Sequence, residues 1–140
     1  MHTMKQVGEA TGMPYETLKF YCNQGLIPYV KRDKNNRRVF DDRDVAWIKS
    51  LVCLKDCEMS IMEMKEYLEM CMKGVATIPE RKAMLARKQC ELKEKLATLQ
   101  KAIDYIDWKQ QFYDDVQSGK IPYRSNLIPP TTPPDDVKAS

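Results

Sequence analysis

Up to residue 74 the apolar positions fall in short groups closed off by stop signals, whereas from 79 to 117 they recur without a break. Thr3 with Gln6 three residues on predicts a capped helix start, Val7 and Ala10 supply its apolar stripe, and Gly12 ends it. Pro14 suits the first turn of a second helix, with Glu16 near its positive end. Leu18 and Tyr21 share the inner face of that helix at i, i+3, and Gly25 closes it. Two short helices about a tight Thr-Gly turn have helix-turn-helix spacing, although any αα-hairpin shares it.

In LIPYVKRDKNNRRVF, the apolar Ile27, Tyr29, Val39 and Phe40 flank a polar centre at Asn35-Asn36. Asparagine tolerates positive φ, so a tight hairpin turn is expected there without glycine. Asp41 or Asp42 then caps a helix carrying Val45, Trp47, Ile48, Leu51, Val52 and Leu54. Ser60 with Glu63 forms another capping box, followed by Ile61, Met64, Leu68 and Cys71 before Gly74. Pro79 opens a long helix in which Leu85, Leu92, Leu99, Ile106 and Tyr113 recur every seven residues, interleaved by Gln89, Leu96, Ile103 and Gln110. This is a heptad seam on a helix about 58 Å long at ~1.5 Å per residue. Seventy-four residues cannot bury such a seam, so it calls for a second copy of the chain. The expected organisation is a mostly α protein: residues 1–74 as a domain of short helices with a small β-hairpin, 79–117 as a dimerisation helix, and 118–140 as a Pro-rich tail. That tail, with its PPTTPPDD run, is too polar to fold alone and docks at most through Tyr123 or Leu127.

Charge sharpens the picture. The whole chain has 23 − 20 = +3, which permits a nucleic-acid partner without demanding one. The hairpin is different: Lys31, Arg32, Lys34, Arg37 and Arg38 stand against Asp33 alone, a local 5 − 1 = +4. A basic hairpin directly after a helix-turn-helix is a wing. No run approaches the ~18 apolar residues of a membrane span, and the first residues lack the apolar stretch of a secretory signal. Five cysteines with no paired spacing indicate a cytoplasmic, reducing-compartment protein with free thiols. The one histidine, His2, lies at an end expected to be disordered, which argues against imidazole catalysis and so against a thiol enzyme built on Cys53. No catalytic residue, metal or cofactor is expected. A coiled-coil adaptor without a DNA role is the remaining class, and the +4 wing argues against it.

The segments TGMPYETLKFYCNQGLI, RRVFDDRDVAWI and CLKDCEMSIMEMKEYLEMC, in that order, resemble the MerR-type transcriptional regulators over residues 3–117. The resemblance implies a winged helix-turn-helix and a homodimer joined by an antiparallel coiled coil. It also implies binding to double-stranded promoter DNA with an overlong spacer, which the dimer distorts for RNA polymerase. VCLKDCEMS and the later TIPER are similar to the branch that answers aldehydes, other electrophiles or nitrosative stress through one cysteine, here Cys53. The metal-sensing branches place a cysteine where this chain has Ile78-Pro79. The chain departs from the usual pattern at Pro14, at Lys19-Phe20-Tyr21-Cys22 and at Asn36-Arg37-Arg38, where family members carry a capping Ser, Arg-Tyr-Tyr-Glu and Gly-Tyr-Arg. Lys19 in place of arginine loses the planar fork.

On this reading Tyr15, Glu16, Thr17, Lys19, Phe20 and Tyr21 of the second helix face DNA, with Lys31, Arg32, Arg37 and Arg38 on the backbone from the wing. The plainer alternative makes Leu18 and Tyr21 core and the charges a solvated face. Cys53 lies in the apolar run Leu51-Val52-Cys53-Leu54, which by composition suits a buried, inert thiol. Lys49 and Cys57 at i−4 and i+4 suggest instead a reactive thiol with a cation and a second sulfur on its face. A disulfide between Cys53 and Cys57 would strain an intact helix. An alternative effector is a soft metal or non-covalent ligand, with Cys53, Cys57 and Cys71 as ligands. Cys22, Cys71 and Cys90 read as structural, the methionines as adaptable core, and Arg81 to Lys101 as the solvated face of the coiled coil. Tyr105, Trp108 and Phe112 are expected to pack on the partner's domain.

Overall fold

Three helix starts are closed by reciprocal hydrogen bonds between a cap residue and the third residue beyond it. The structure, a computed structural model, describes residues 1–129. In it α1 (Met4–Thr11) is capped by Thr3 with Gln6, α3 (Asp42–Asp56) by Asp41 with Asp44, and α4 (Ile61–Met72) by Ser60 with Glu63. Each cap satisfies amides that a helix leaves orphaned and contributes about 1 kcal/mol. Helix α2 (Tyr15–Asn23) starts on Pro14 and has no side-chain cap. The connection between α1 and α2 depends on two glycines. Gly12 is left-handed, with φ 76°, and a Cβ on Gly8 would stand 3.2 Å from the Met13 carbonyl oxygen.

The hairpin forms as β2 (Lys31–Arg32) and β3 (Arg38–Phe40), but it belongs to a three-stranded antiparallel sheet. The extra strand, β1 (His2–Thr3), pairs His2 with Phe40 and Thr3 with Val39. His2 is therefore ordered, contrary to expectation, and its Nε2 lies 2.7 Å from Asp42 Oδ1. On the other side Lys31 pairs with Val39 and Arg32 with Arg38.

Val7, Leu18, Leu26, Phe40, Ile48 and Leu51 are fully buried and hold α1, α2, α3 and the sheet together. Each such side chain contributes about 1.5–3 kcal/mol. Ala10, expected in the stripe of α1, is exposed. Trp47 packs at the edge of this core and donates its Nε1–H to the Leu26 carbonyl at 2.7 Å, spending its one polar atom.

After α4 a 3₁₀ turn (Gly74–Thr77) leads into α5 (Ile78–Gln117), forty residues long. The chain divides into two compact units, Met1–Leu92 and Lys93 onward. The first unit thus includes the opening turns of α5, and two residues there depart from the solvated face expected of them. Arg81 is half-buried, donating to the carbonyl of Gly74 and, at 3.2 Å, to Thr77 Oγ1. Lys88 is 9% exposed. In the second unit, Leu96, Leu99, Ile103, Ile106 and Tyr113 are all exposed. Tyr105, Trp108 and Phe112 form a ladder with ring centroids 6.2 and 5.9 Å apart, and Lys109 Nζ lies 5.7 Å from the Trp108 ring centre and 5.2 Å from that of Phe112. Beyond Gly119, Tyr123 is half-buried, but Leu127 is 93% exposed and is not the anchor expected of it. Most of the PPTTPPDD run lies outside the described residues. Among those residues no helix is long and apolar enough to cross a membrane.

Candidate nucleic-acid interface and thiol site

The wing tip is organised by the one acidic residue in its basic strip. Asp33 Oδ1 accepts from the amides of Asn35 at 2.9 Å and Arg37 at 3.0 Å. The Asp33 amide and carbonyl close the loop onto Arg37 and Asn36, both at 2.9 Å. Asn36 takes the positive φ, 61°, that glycine would otherwise supply. The turn therefore spans residues 33–37, longer than a tight two-residue one.

The cations of this strip are placed in three ways. Arg32 donates to the Asn36 carbonyl at 2.9 Å, and Arg38 to Asn23 Oδ1 at 2.6 Å, which ties the wing to the end of α2. Arg37 and Lys34 are exposed at the tip. Lys31 is differently placed. Its ammonium donates to the Tyr29 carbonyl at 3.0 Å, to Asp41 Oδ2 at 2.9 Å and to Asp44 Oδ2 at 3.4 Å. An ammonium has three donors, and these contacts use all of them. Lys31, expected to meet a phosphate, is instead the inner anchor of the wing. The pairing, with the Asp44 amide behind it, holds the Asp41 carboxyl at about 2, and Asp41 in turn raises the Lys31 ammonium.

On α2, Tyr15 and Phe20 are exposed, as are Glu16 and Lys19, while Thr17 is half-buried. Tyr21 is 4% exposed and packs with Leu18 in the core. Burial raises its phenol above the ordinary value. Of the two readings open for Tyr21, the structure places it in the core. Tyr15, Arg32, Arg37 and Arg38 line one open cleft of about 470 Å³, together with Lys5 and Thr3. Lys5 escaped the sequence reading because only the pairing of β1 with β3 brings the start of α1 beside the wing. The arrangement is a cationic groove with exposed aromatics and hydrogen-bonding side chains on the helix beside it, suited to a polyanion.

Cys53 is exposed on α3 although it lies in an apolar run. The helical period explains this: Leu51 and Leu54 turn into the core, and the 3.6-residue repeat carries Cys53 outward. Lys49, one turn earlier, is also exposed. Cys57 is half-buried at the C-cap of α3, its amide donating to the Cys53 carbonyl at 3.0 Å. Cys71 is half-buried, 3.8 Å from Arg81 Nη1. Cys90, read as structural, is exposed. Burial pushes the Cys22 thiol up against the opposing pull of Arg38 and Arg32. Among the described residues no three histidine, cysteine or acidic side chains gather to hold a metal.

The family described as MerR HTH family regulatory protein matches residues 2–71, which span the sheet, α1 to α3 and nearly all of α4. An uncharacterized HTH-type transcriptional regulator of Haemophilus influenzae is 32% identical over 117 residues, covering 84% of this chain and 87% of its own length. The HTH-type transcriptional regulator AdhR of Bacillus subtilis is 35% identical over 89 residues, 64% of each protein. Among solved structures, HiNmlR, a MerR family regulator lacking the sensor domain and bound to promoter DNA, superposes with a TM-score of 0.69 at 32% identity, covering 84% of this chain and 93% of that one. The capped helix-turn-helix, the three-stranded wing and the long helix agree with these matches, and the chain belongs to the MerR family of helix-turn-helix regulatory proteins.

Proposed function

We propose that this protein is a transcriptional regulator that binds double-stranded promoter DNA as a homodimer and is switched through the thiol of Cys53. The observation that carries the DNA reading is the cleft in which Arg32, Arg37, Arg38 and Lys5 converge beside the exposed residues of α2. Tyr15, Glu16, Thr17, Lys19 and Phe20 then meet base edges or phosphates in the major groove, and the wing arginines meet the backbone. A promoter-bound MerR relative of similar length and fold supports this reading.

Residues 1–74 are the DNA-binding part, 79–117 the dimerisation helix and 118–140 a tail. The seam supports dimerisation: Leu85, Leu92, Leu96, Leu99, Ile103, Ile106 and Tyr113 form a stripe in which every residue but half-buried Leu92 is exposed, and such a stripe needs an apolar partner. An antiparallel pairing of two copies covers it and places two recognition helices about a two-fold axis. In this reading the dimer distorts an overlong promoter spacer so that RNA polymerase can engage it, in the cytoplasm.

The exposed Cys53 is open to electrophiles. Its thiolate adds to an aldehyde carbonyl carbon, an S–C bond forms, and the carbonyl oxygen takes up a proton to give a hemithioacetal. No group leaves and nothing is oxidised. The similarity to AdhR and HiNmlR supports this branch. The test is promoter binding and run-off transcription by wild type and Cys53→Ser, with and without formaldehyde. Both proteins should bind, and wild type alone should gain transcription. A serine variant that still responds overturns the assignment.

A further inference from the structure

The buried lysine in the third turn of α5 is none of the residues assigned above to DNA contact or to the seam. Lys88 is 9% exposed, on a helix whose neighbouring positions 85–87 and 89–91 are all exposed. Its ammonium lies 2.8 Å from Glu91 Oε2 one turn on, 3.1 Å from Glu63 Oε2, and 3.5 Å from the Glu58 carbonyl oxygen. Two of these partners form the corner between α3 and α4. Glu63 closes the capping box of α4, accepting from the amide of the cap residue Ser60 at 2.9 Å. Glu58 is a left-handed non-glycine residue, φ 63°, which carries the chain out of α3.

That corner is also the thiol site. Cys57 precedes Glu58, and its amide is bonded to the Cys53 carbonyl at 3.0 Å. The next amides return to Lys55 at 2.9 Å and Leu54 at 3.1 Å, so residues 53–59 form one hydrogen-bonded turn. A left-handed residue other than glycine persists only where its surroundings hold it. Here Met59, 6% exposed, anchors one side and Lys88 the other. Because residues 53–59 are bonded as one turn, a group added to the last turn of α3 that displaces this turn carries the Glu58 carbonyl with it.

We infer that Lys88 is a positioning residue that links the Cys53–Cys57 turn and the α4 cap to the dimerisation helix, so that thiol modification alters the start of α5. This rests on the thiol-switch reading for its biological meaning, but its test does not depend on transcription.

The experiment measures amide hydrogen exchange over residues 84–92 in the full-length chain before and after labelling with N-ethylmaleimide. All proteins carry Cys90→Ser, because that exposed thiol lies inside the window. In this background they are the otherwise unchanged chain (wild type below), Lys88→Met, Lys88→Arg and Glu63→Gln, with Cys53→Ser/Cys57→Ser as the unlabelled-turn control. Glu63→Gln keeps an acceptor for the Ser60 amide, so it serves if Lys88→Met fails to fold. Labelling should raise exchange over 84–92 about fivefold or more in wild type and in Lys88→Arg, in the usual range of coupled sites. In Lys88→Met and Glu63→Gln exchange should start high and change less than about twofold on labelling. The control should not respond. Equal responses in wild type and the two uncoupled variants, no response in wild type, or failure of Lys88→Arg to restore the wild-type response would each overturn the inference. A transcriptional response to formaldehyde with no exchange change sinks Lys88 alone. An exchange change without any transcriptional response sinks the thiol switch and leaves the coupling standing.

Discussion

Replacing Arg37 by glutamine removes one cation from each wing tip, and its effect on DNA binding can be set against a charge-neutral control from the same hairpin. Arg37 is exposed and lines the cationic cleft, whereas Lys31 spends its three donors on Tyr29, Asp41 and Asp44. If each Arg37 meets one phosphate, the dimer loses two contacts, and the slope of log affinity against log salt falls by about 0.9 for each, or about 1.8. Between about 50 and 200 mM salt, wild type should then lose about twelvefold more affinity than Arg37→Gln. The double variant Lys31→Gln/Asp41→Asn removes one charge of each sign and should keep the wild-type slope. The assay is fluorescence-anisotropy titration of a promoter duplex at four or more salt concentrations. A slope reduced as much by the Lys31 double variant as by Arg37→Gln would refute the division of the wing into anchoring and DNA-facing cations.

Three further outcomes are expected. Ile48→Ala empties a fully buried site in α3 and should cost about 2–5 kcal/mol in urea denaturation with m unchanged, whereas exposed Met62→Ala should cost little. Asp41 has a folded pKa of about 2 against an ordinary 3.8, so the unfolded chain takes up the proton first. The stabilisation by its pair with Lys31 is therefore complete above the ordinary value and is lost as pH falls from 3.8 toward 2. Asp41→Asn should flatten that portion of an acid-unfolding profile. Leu99→Asp places a charge in the seam and should give a monomer by sedimentation velocity with weakened promoter binding. A stable dimer in that variant would remove the seam from the interface.

What could be read in advance was local. Thr3–Gln6 and Ser60–Glu63 announce helix starts because each box is closed within four residues, and the chain beyond does not enter. At α3 the sequence left the cap between Asp41 and Asp42, and the structure closes it with Asp41 and Asp44. The positive φ at Asn36 is equally a matter of one residue and its neighbours. The strand at His2–Thr3 left no such trace: two residues carry no alternation, and they are a strand only because β3 offers them a free edge. Lys5 entered the cleft with them.

Charged and reactive side chains show the division most clearly. A list of residues counts Lys31, Arg32, Arg37 and Arg38 as equivalent cations of the wing, but whether a donor is free depends on which carboxylates the fold brings to it. Asp41 and Asp44 reach Lys31 across 10 and 13 residues of chain. The apolar run around Cys53 suggested a buried thiol, and the register of α3 against the core turned it outward. A basic stretch suggested a solvated Lys88, and Glu58 and Glu63, 30 and 25 residues away, enclosed it.

By itself, then, the sequence determined the capped helix starts, the order of helices and wing, the long C-terminal helix and the family pattern, because capping, periodicity and turn chemistry act over a few residues. Only the tertiary structure decided which cations face solvent, which thiols are accessible and which lysine joins the α3–α4 corner to α5. Burial and ion pairing are properties of surfaces that meet across the chain, and no local pattern records where they will meet.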